Sequence, residues 1–216
     1  MKETKPIIAV DRSGDFNNTP IAIAFSYQKT KVNINNIIDE IRNIAIKNNK
    51  NLIGRKFIKA VDIENEYAQE QVMKVIEKNF NFKCAVFFPK AINYCKDKLF
   101  PSKHWNFKIE AIFYFKLLFK NISARKIVLD NDYEGNMISL IDPICSLYWN
   151  FIGRSFSRKL ITFQSSKDNL SLQISDFISG FFRDNGKLRS IYKNFVLIYR
   201  KNPKEEFENL LKKFIK

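Results

Sequence analysis

Cysteine and histidine are scarce in this chain. Cys84, Cys95, Cys145 and His104 are the whole supply in 216 residues. An odd number of cysteines without a Cys-x-x-Cys pair, beside a single histidine, makes a poor zinc set, and a reducing, intracellular compartment is the simplest expectation. His104 stands too isolated to act as a general base and is expected near a helix start. Glycine is also sparse, with 6 residues, and no Gly-rich phosphate loop can be drawn from them. That weakens any reading as an actin-like ATPase. The longest apolar run, 109–119, contains Lys116 and is too short to span a bilayer. Ile7 to Val10 is too short for the apolar core of a signal peptide and is followed by charge. A soluble, cytoplasmic protein with no membrane partner is expected. Repeats and low-complexity segments are lacking as well.

Acidic residues are the other shortage: 22 Asp and Glu stand against 37 Lys and Arg, a formal charge of +15. The excess is spread along the chain, without a single basic tail. Such a field favours a polyanion, because each neutralised phosphate releases condensed counterions, and nucleic acid is the leading partner. The bland alternative is a lysine-rich vocabulary that only solvates the surface. The 45% hydrophobic content, with 21 Phe, predicts a folded chain. The length suits one domain of ordinary size or one domain with an appendage.

Because acids are few, their positions carry information. Ile7-Ile8-Ala9-Val10 runs into Asp11, then a turn-forming cluster from Arg12 to Pro20, then the apolar residues 21–25. Consecutive apolar residues predict a central strand covered on both faces, followed by an antiparallel partner. Residues 34–45 place Ile34, Ile37, Ile38, Ile41 and Ala45 at helical spacing. After a basic loop, 62–79 reads as a second helix with Asp62 as a possible N-cap. A third strand, 82–88, ends at Pro89. The helix expected over 104–120 carries Glu110 among Phe107, Phe113, Tyr114 and Leu117. A carboxylate on an apolar stripe is costly unless it is paired or holds a metal, and both readings stand.

The strand 125–132 repeats the opening pattern, an apolar run ending in Asp130 and Asp132. In a parallel pair with the first strand, its aspartate and Asp11 would emerge at one carboxyl edge, where open α/β sheets place their sites. If the strand continues to Asp132, Asp130 and Asp132 point to the same face, so either could be the partner. Asp142 reads as the cap of the helix that follows. A fifth strand, 159–164, and a loop, 165–169, lead to a helix over 170–182. There Asp176 has Gln173, Ser179 and Gly180 as helical neighbours, and small residues would let the helix approach the sheet. From Lys187 onward one or two more helices, dense in Lys and Arg, are expected over 188–200 and 203–214. The division is therefore a domain over 1–186 and a basic helical C-terminal extension over 187–216.

This order of elements is similar to that of ribonuclease H-like proteins: an α/β fold with a mixed five-stranded sheet flanked by helices and a helical insertion between strands 2 and 3. In that arrangement Asp11, Glu110, Asp130 and Asp176 converge at one sheet edge. Carboxylates with ordinary pKa values of about 4 would repel one another there at neutral pH. Hard divalent cations resolve the repulsion, and oxygen-only ligands suit Mg²⁺ or Mn²⁺. Two ions roughly 3.5–4 Å apart are the arrangement suited to hydrolysing a phosphodiester. The metal ligands expected are Asp11, Glu110, Asp130 or Asp132, and Asp176. Arg12, Ser13, Lys103 and Lys167 are the candidates for nucleic-acid contact.

Two stretches also resemble a known family. Asp11-Arg12-Ser13-Gly14-Asp15 is similar to the Asp-Glu-Ser-Gly-Asp opening of the domain-of-unknown-function 3800 family, in the ribonuclease H-like superfamily. Leu172-Gln173-Ile174-Ser175-Asp176-Phe177-Ile178-Ser179-Gly180, after Ser166-Lys167, resembles its C-terminal Leu-Gln-x-Ala-Asp-x-x-x-Gly helix. The resemblance spans about residues 6–184 and implies a metal-dependent nuclease. Arg12 replaces the family's Glu and either contacts a phosphate or marks a lapsed site. Ser175 replaces its Ala. The reading in competition is a non-catalytic, nucleic-acid-binding member of the same fold.

Overall fold

A computed structural model describes residues 6–14, 19–94, 126–130 and 161–200. The predicted helices 104–120, 142–151 and 203–214 lie outside the described residues.

The opening run forms strand β1 (Ile7–Ser13), and β2 (Ile21–Gln28) returns antiparallel to it, with Ala9 opposite Ser26. Gly14 makes the exit from β1 possible. Its φ of +97° suits glycine, and a Cβ there would stand 2.4 Å from the Pro20 carbonyl oxygen. Helix α1 (Ile34–Asn48) starts at Asn33, whose side chain accepts the Asn35 N–H, and it buries Ile37, Ile41 and Ala45 at a four-residue spacing.

Two 3-10 turns, Lys50–Leu52 and Ala60–Asp62, lead into α2 (Glu66–Asn79). Asp62 is not its cap. Asn65 holds that position, accepting the Ala68 N–H at 3.1 Å, while Asp62 pairs with Arg55 and accepts the Lys59 N–H. β3 (Phe80–Phe87) pairs antiparallel with β2, and Pro89 opens the short helix α3 (Pro89–Tyr94).

The second strand–aspartate element is β4 (Lys126–Asp130), which lies parallel to β1, and β5 (Ile161–Gln164) lies parallel to β4. Helix α4 (Leu170–Asp184) begins at Asn169, whose side chain accepts the Ser171 and Leu172 N–H groups. It is followed by α5 (Gly186–Ile191) and β6 (Val196–Tyr199).

The sheet is six-stranded, in the order β5-β4-β1-β2-β3-β6, and only β2 runs against the others. Strand β6 corrects two expectations, a five-stranded sheet and a helix over 188–200. The helix ends at Ile191 with Tyr192 as its C-cap, and the run Val196-Leu197-Ile198-Tyr199, rich in β-branched and aromatic residues, pairs parallel with β3, with Cys84 opposite Val196. A run of that composition suits a pleated edge better than a helix interior.

Both faces of the sheet are buried, as the unbroken apolar runs require. Ala22, Ala24, Phe82, Cys84 and Val86 face α1, α2 and α4 in one core. Ile8, Val10, Ile23, Phe25, Ala85 and Leu129 alternate onto the opposite face and are also buried. Burial pushes the Cys84 thiol far above its ordinary value, so it behaves as a small apolar side chain.

Candidate functional site at the carboxyl edge of the sheet

β1 and β4 are in register with Val10 beside Leu129. The next residues are Asp11 and Asp130, so two carboxylates leave neighbouring strands at one level, on backbones about 4.8 Å apart. They share a face with Ala9 and Val128, on which Leu172 of α4 packs. Both are buried, Asp11 with 5% and Asp130 with 4% of its surface exposed. Buried anions this close require donors or cations around them. Asp130 Oδ2 accepts the Ser166 N–H at 3.2 Å from the turn after β5. Asp11 Oδ2 lies 3.4 Å from the Ser179 hydroxyl, a long contact that shares its proton with the Asp176 carbonyl at 3.2 Å.

Helix α4 is aligned with β1 by a matched repeat. Ser175 Oγ donates to the Ala9 carbonyl at 3.0 Å, Ser179 reaches Asp11, and Arg183 Nη1 donates to Ser13 Oγ at 2.9 Å. Four helical residues advance about 6.0 Å and two strand residues about 6.6 Å, so the register holds over both steps. Ser175 is fully buried and is also hydrogen-bonded to Ser26 at 2.9 Å, which satisfies both hydroxyls.

Asp176 follows Leu172 by one turn and so lies on the same helical stripe. Its Oδ2 accepts the Ala60 N–H at 3.1 Å. Gly180, one turn further, permits that contact: a Cβ there would fall 2.3 Å from the Ala60 Cβ. The small residues of α4 therefore serve two surfaces. Ser175 and Ser179 face the sheet, and Gly180 faces the 3-10 turn.

The remaining expected site residues fall as follows. Ser13 accepts from Arg183. Arg12 is half-buried and alternates onto the face of β1 opposite Asp11, so its nearness to Asp11 in sequence is not a shared orientation. Lys167 is exposed in the turn whose Ser166 N–H holds Asp130. Glu110, Asp132 and Lys103 lie outside the described residues.

Among the described residues, no group of three or more His, Cys, Asp or Glu side chains converges closely enough to hold a metal ion. The donors of Asp11, Asp130 and Asp176 are all carboxylate oxygens, the chemistry a hard divalent cation requires. The Ala60 N–H engages Asp176 at the flank of the pair. Sequence reasoning missed Ser166, Ala60 and Arg183. For Arg183 a signal was present: it follows Asp176 by seven residues and Ser179 by four, on one helical face.

No protein-family model matches the chain, and no curated protein matches it in sequence. Solved structures do match in fold. An RNase HII from Archaeoglobus fulgidus, determined as a PCNA:RNase HII complex, aligns over 97% of this chain and 88% of its own, at 11% identity and a TM-score of 0.50. A mutant of Bst-RNase HIII aligns over 83% of this chain at 14% identity and a TM-score of 0.50, and this chain spans about half (52%) of its length. The mixed α/β sheet flanked by helices is thus an RNase H-like fold.

Proposed function

We propose that the protein is a divalent-metal-dependent nuclease that hydrolyses phosphodiester bonds at the carboxyl edge of β1 and β4. The observation that carries this reading is the register that sets Asp11 and Asp130 side by side and buried. Burying two like charges is costly unless a cation compensates them. Asp11 and Asp130 would hold it, with Asp176 and Glu110 as further ligands and Asp132 as the alternative to Asp130. When bound, Mg²⁺ or Mn²⁺, as a pair in the complete site, neutralises phosphate charge and lowers the pKa of a bound water. The Ser166 and Ala60 N–H groups and the Ser179 hydroxyl would orient the carboxylates. Lys167 and Ser13, with Arg12 on the other face, would contact the nucleic acid.

The fold shared with RNases HII and HIII supports this reading. Placement beside the domain-of-unknown-function 3800 family rests on the two motifs at 11–15 and 172–180. The second reading, a binding module without catalysis, is favoured by the +15 charge and by Arg12 in place of an acid.

One assay separates them. Labelled RNA, DNA and RNA–DNA hybrid, single- and double-stranded, are incubated with Mg²⁺, Mn²⁺ or EDTA, using wild type and Asp11→Asn. Metal-dependent cleavage that disappears in Asp11→Asn supports the nuclease. Salt-sensitive binding without cleavage under any metal establishes the binding module.

A further inference from the structure

The carboxyl edge of the sheet continues past the carboxylates. β3 and β6 point the same way as β1, so Phe88 and Arg200, which follow them, emerge at this same edge. By register, Gly14 lies level with Ile21, Phe87 and Tyr199, and the next step brings Phe88 and Arg200. Strand geometry puts them roughly 13 Å ahead of Asp11 and about 10–15 Å to its side.

Three arginines gather along this path. Arg183 is tied to Ser13 and to its neighbour Asp184. Arg189 stands with its guanidinium carbon 5.5 Å from the centre of the Phe88 ring, and Arg200 at 5.3 Å from the same ring. Two guanidiniums on one ring repel each other. Desolvation and then the charge of Arg200 lower the Arg189 pKa, and Asp184 opposes them only in part. The Arg189 position is fixed by other contacts: its Nη1 donates to the Phe182 and Arg183 carbonyls at 2.6 and 2.7 Å, capping the last turn of α4. Arg200 is exposed. The ring supports both cations, and a guanidinium presents edges suited to bidentate contact with phosphate oxygens.

We infer that Phe88, Arg189 and Arg200 form a phosphate-binding site, which with Arg183 tracks the backbone of a nucleic acid whose scissile phosphodiester, several nucleotides along the strand, lies at Asp11 and Asp130. The inference rests on the proposed function for its ligand, but it needs neither metal nor cleavage.

Binding is therefore measured in EDTA, by fluorescence anisotropy on a labelled RNA of about 20 nucleotides and on an RNA–DNA hybrid, between about 50 and 200 mM salt. Arg200→Gln is compared with Arg200→Lys and with Lys193→Gln, a surface charge at the opposite edge of the sheet. Arg200→Gln is expected to weaken binding and to reduce the slope of log K against log salt by about 0.7 on the single strand, one phosphate contact. Arg200→Lys keeps the slope, and Lys193→Gln leaves affinity and slope alone. Equal slopes for wild type and Arg200→Gln, or equal losses in Arg200→Gln and Lys193→Gln, overturn the site. Wild type that binds here but cleaves with neither Mg²⁺ nor Mn²⁺ in the cleavage assay removes the nuclease reading and leaves this one standing; wild type that binds neither probe removes both.

Discussion

At the β1–β4 end of the carboxyl edge two carboxylates are buried; at the β3–β6 end two arginines share one aromatic ring and Arg200 is exposed. Each acid meets an N–H or hydroxyl from a different element: Ser166 for Asp130, Ala60 for Asp176, Ser179 for Asp11. Arg189 rests on carbonyls and, with Arg200, on an aromatic ring, which support a cation without cancelling it. The difference shows how a basic protein keeps an acidic notch. N–H and hydroxyl donors turn toward the anions, and Arg189 and Arg200 stand further along the edge, on the Phe88 ring.

Breaking the acidic end should change the most. Asp11→Asn is expected to lower metal-dependent cleavage by about a hundredfold or more, the scale seen when one electrostatic element of a site is removed. In EDTA the same substitution removes one of two buried negative charges on neighbouring strands and is expected to raise the melting temperature by a few degrees, about 1 kcal/mol. Mn²⁺ then stabilises wild type more than Asp11→Asn. A drop in melting temperature in EDTA would show that the two carboxylates do not strain one another.

Next in size is the seat of Asp176. Gly180→Ala gains about 1 kcal/mol in helix propensity but overlaps the Ala60 Cβ, at a cost of about 1–3 kcal/mol. A net fall in thermal stability is expected, with recovery in the Gly180→Ala/Ala60→Gly double variant, where the overlapping methyl is gone. Failure of the double variant to recover would place the strain elsewhere.

Ser175→Ala removes the hydroxyl between Ser26 and the Ala9 carbonyl and is expected to cost about 1–2 kcal/mol in chemical denaturation. Adding Ser26→Ala should restore part of it, because the second substitution removes the hydroxyl left without its partner. Additive losses would show that Ser26 finds another partner.

The slightest change lies near the β3–β6 edge and emerges only in alkali. Burial, then the charge and hydrogen bond of Glu77, push the Tyr192 phenol up to about 12 from 10.0. The folded state therefore keeps its proton while the unfolded chain loses it. The stabilisation is fully present below the ordinary phenol value of 10.0 and is lost as pH rises from there through about 12. Absorbance titration of wild type against Tyr192→Phe checks this, and a Tyr192 titrating at its ordinary value would contradict it.

Much of the frame was legible in the residues. β1 and β4 are apolar runs stopped by an aspartate, and such runs fit a strand buried on both faces. The helix starts at Asn33, Asn65, Asn169 and Asn185 are local, since each side chain caps its own helix. Asp62 misleads because it sits three residues before that cap, with equal capping chemistry and a different partner. β6 misleads because four apolar residues among basic ones carry no decisive period, and their reason to be a strand is the open edge of β3.

Taken alone, the residues specify most of the strands and helices, where most of them start, and that carboxylates stand at the ends of two strands. These follow from the period of apolar residues and from contacts within a few positions. What meets those carboxylates is decided by the folded chain. Ser179 and Asp11 are 168 residues apart, Ala60 and Asp176 are 116 apart, and Arg183 and Ser13 are 170 apart. The strand pairing that sets Asp11 beside Asp130, and the alternation that turns Arg12 to the other face, are properties of the assembled sheet. Charge has no period in a sequence; its meaning comes from the backbone that brings it close to another charge.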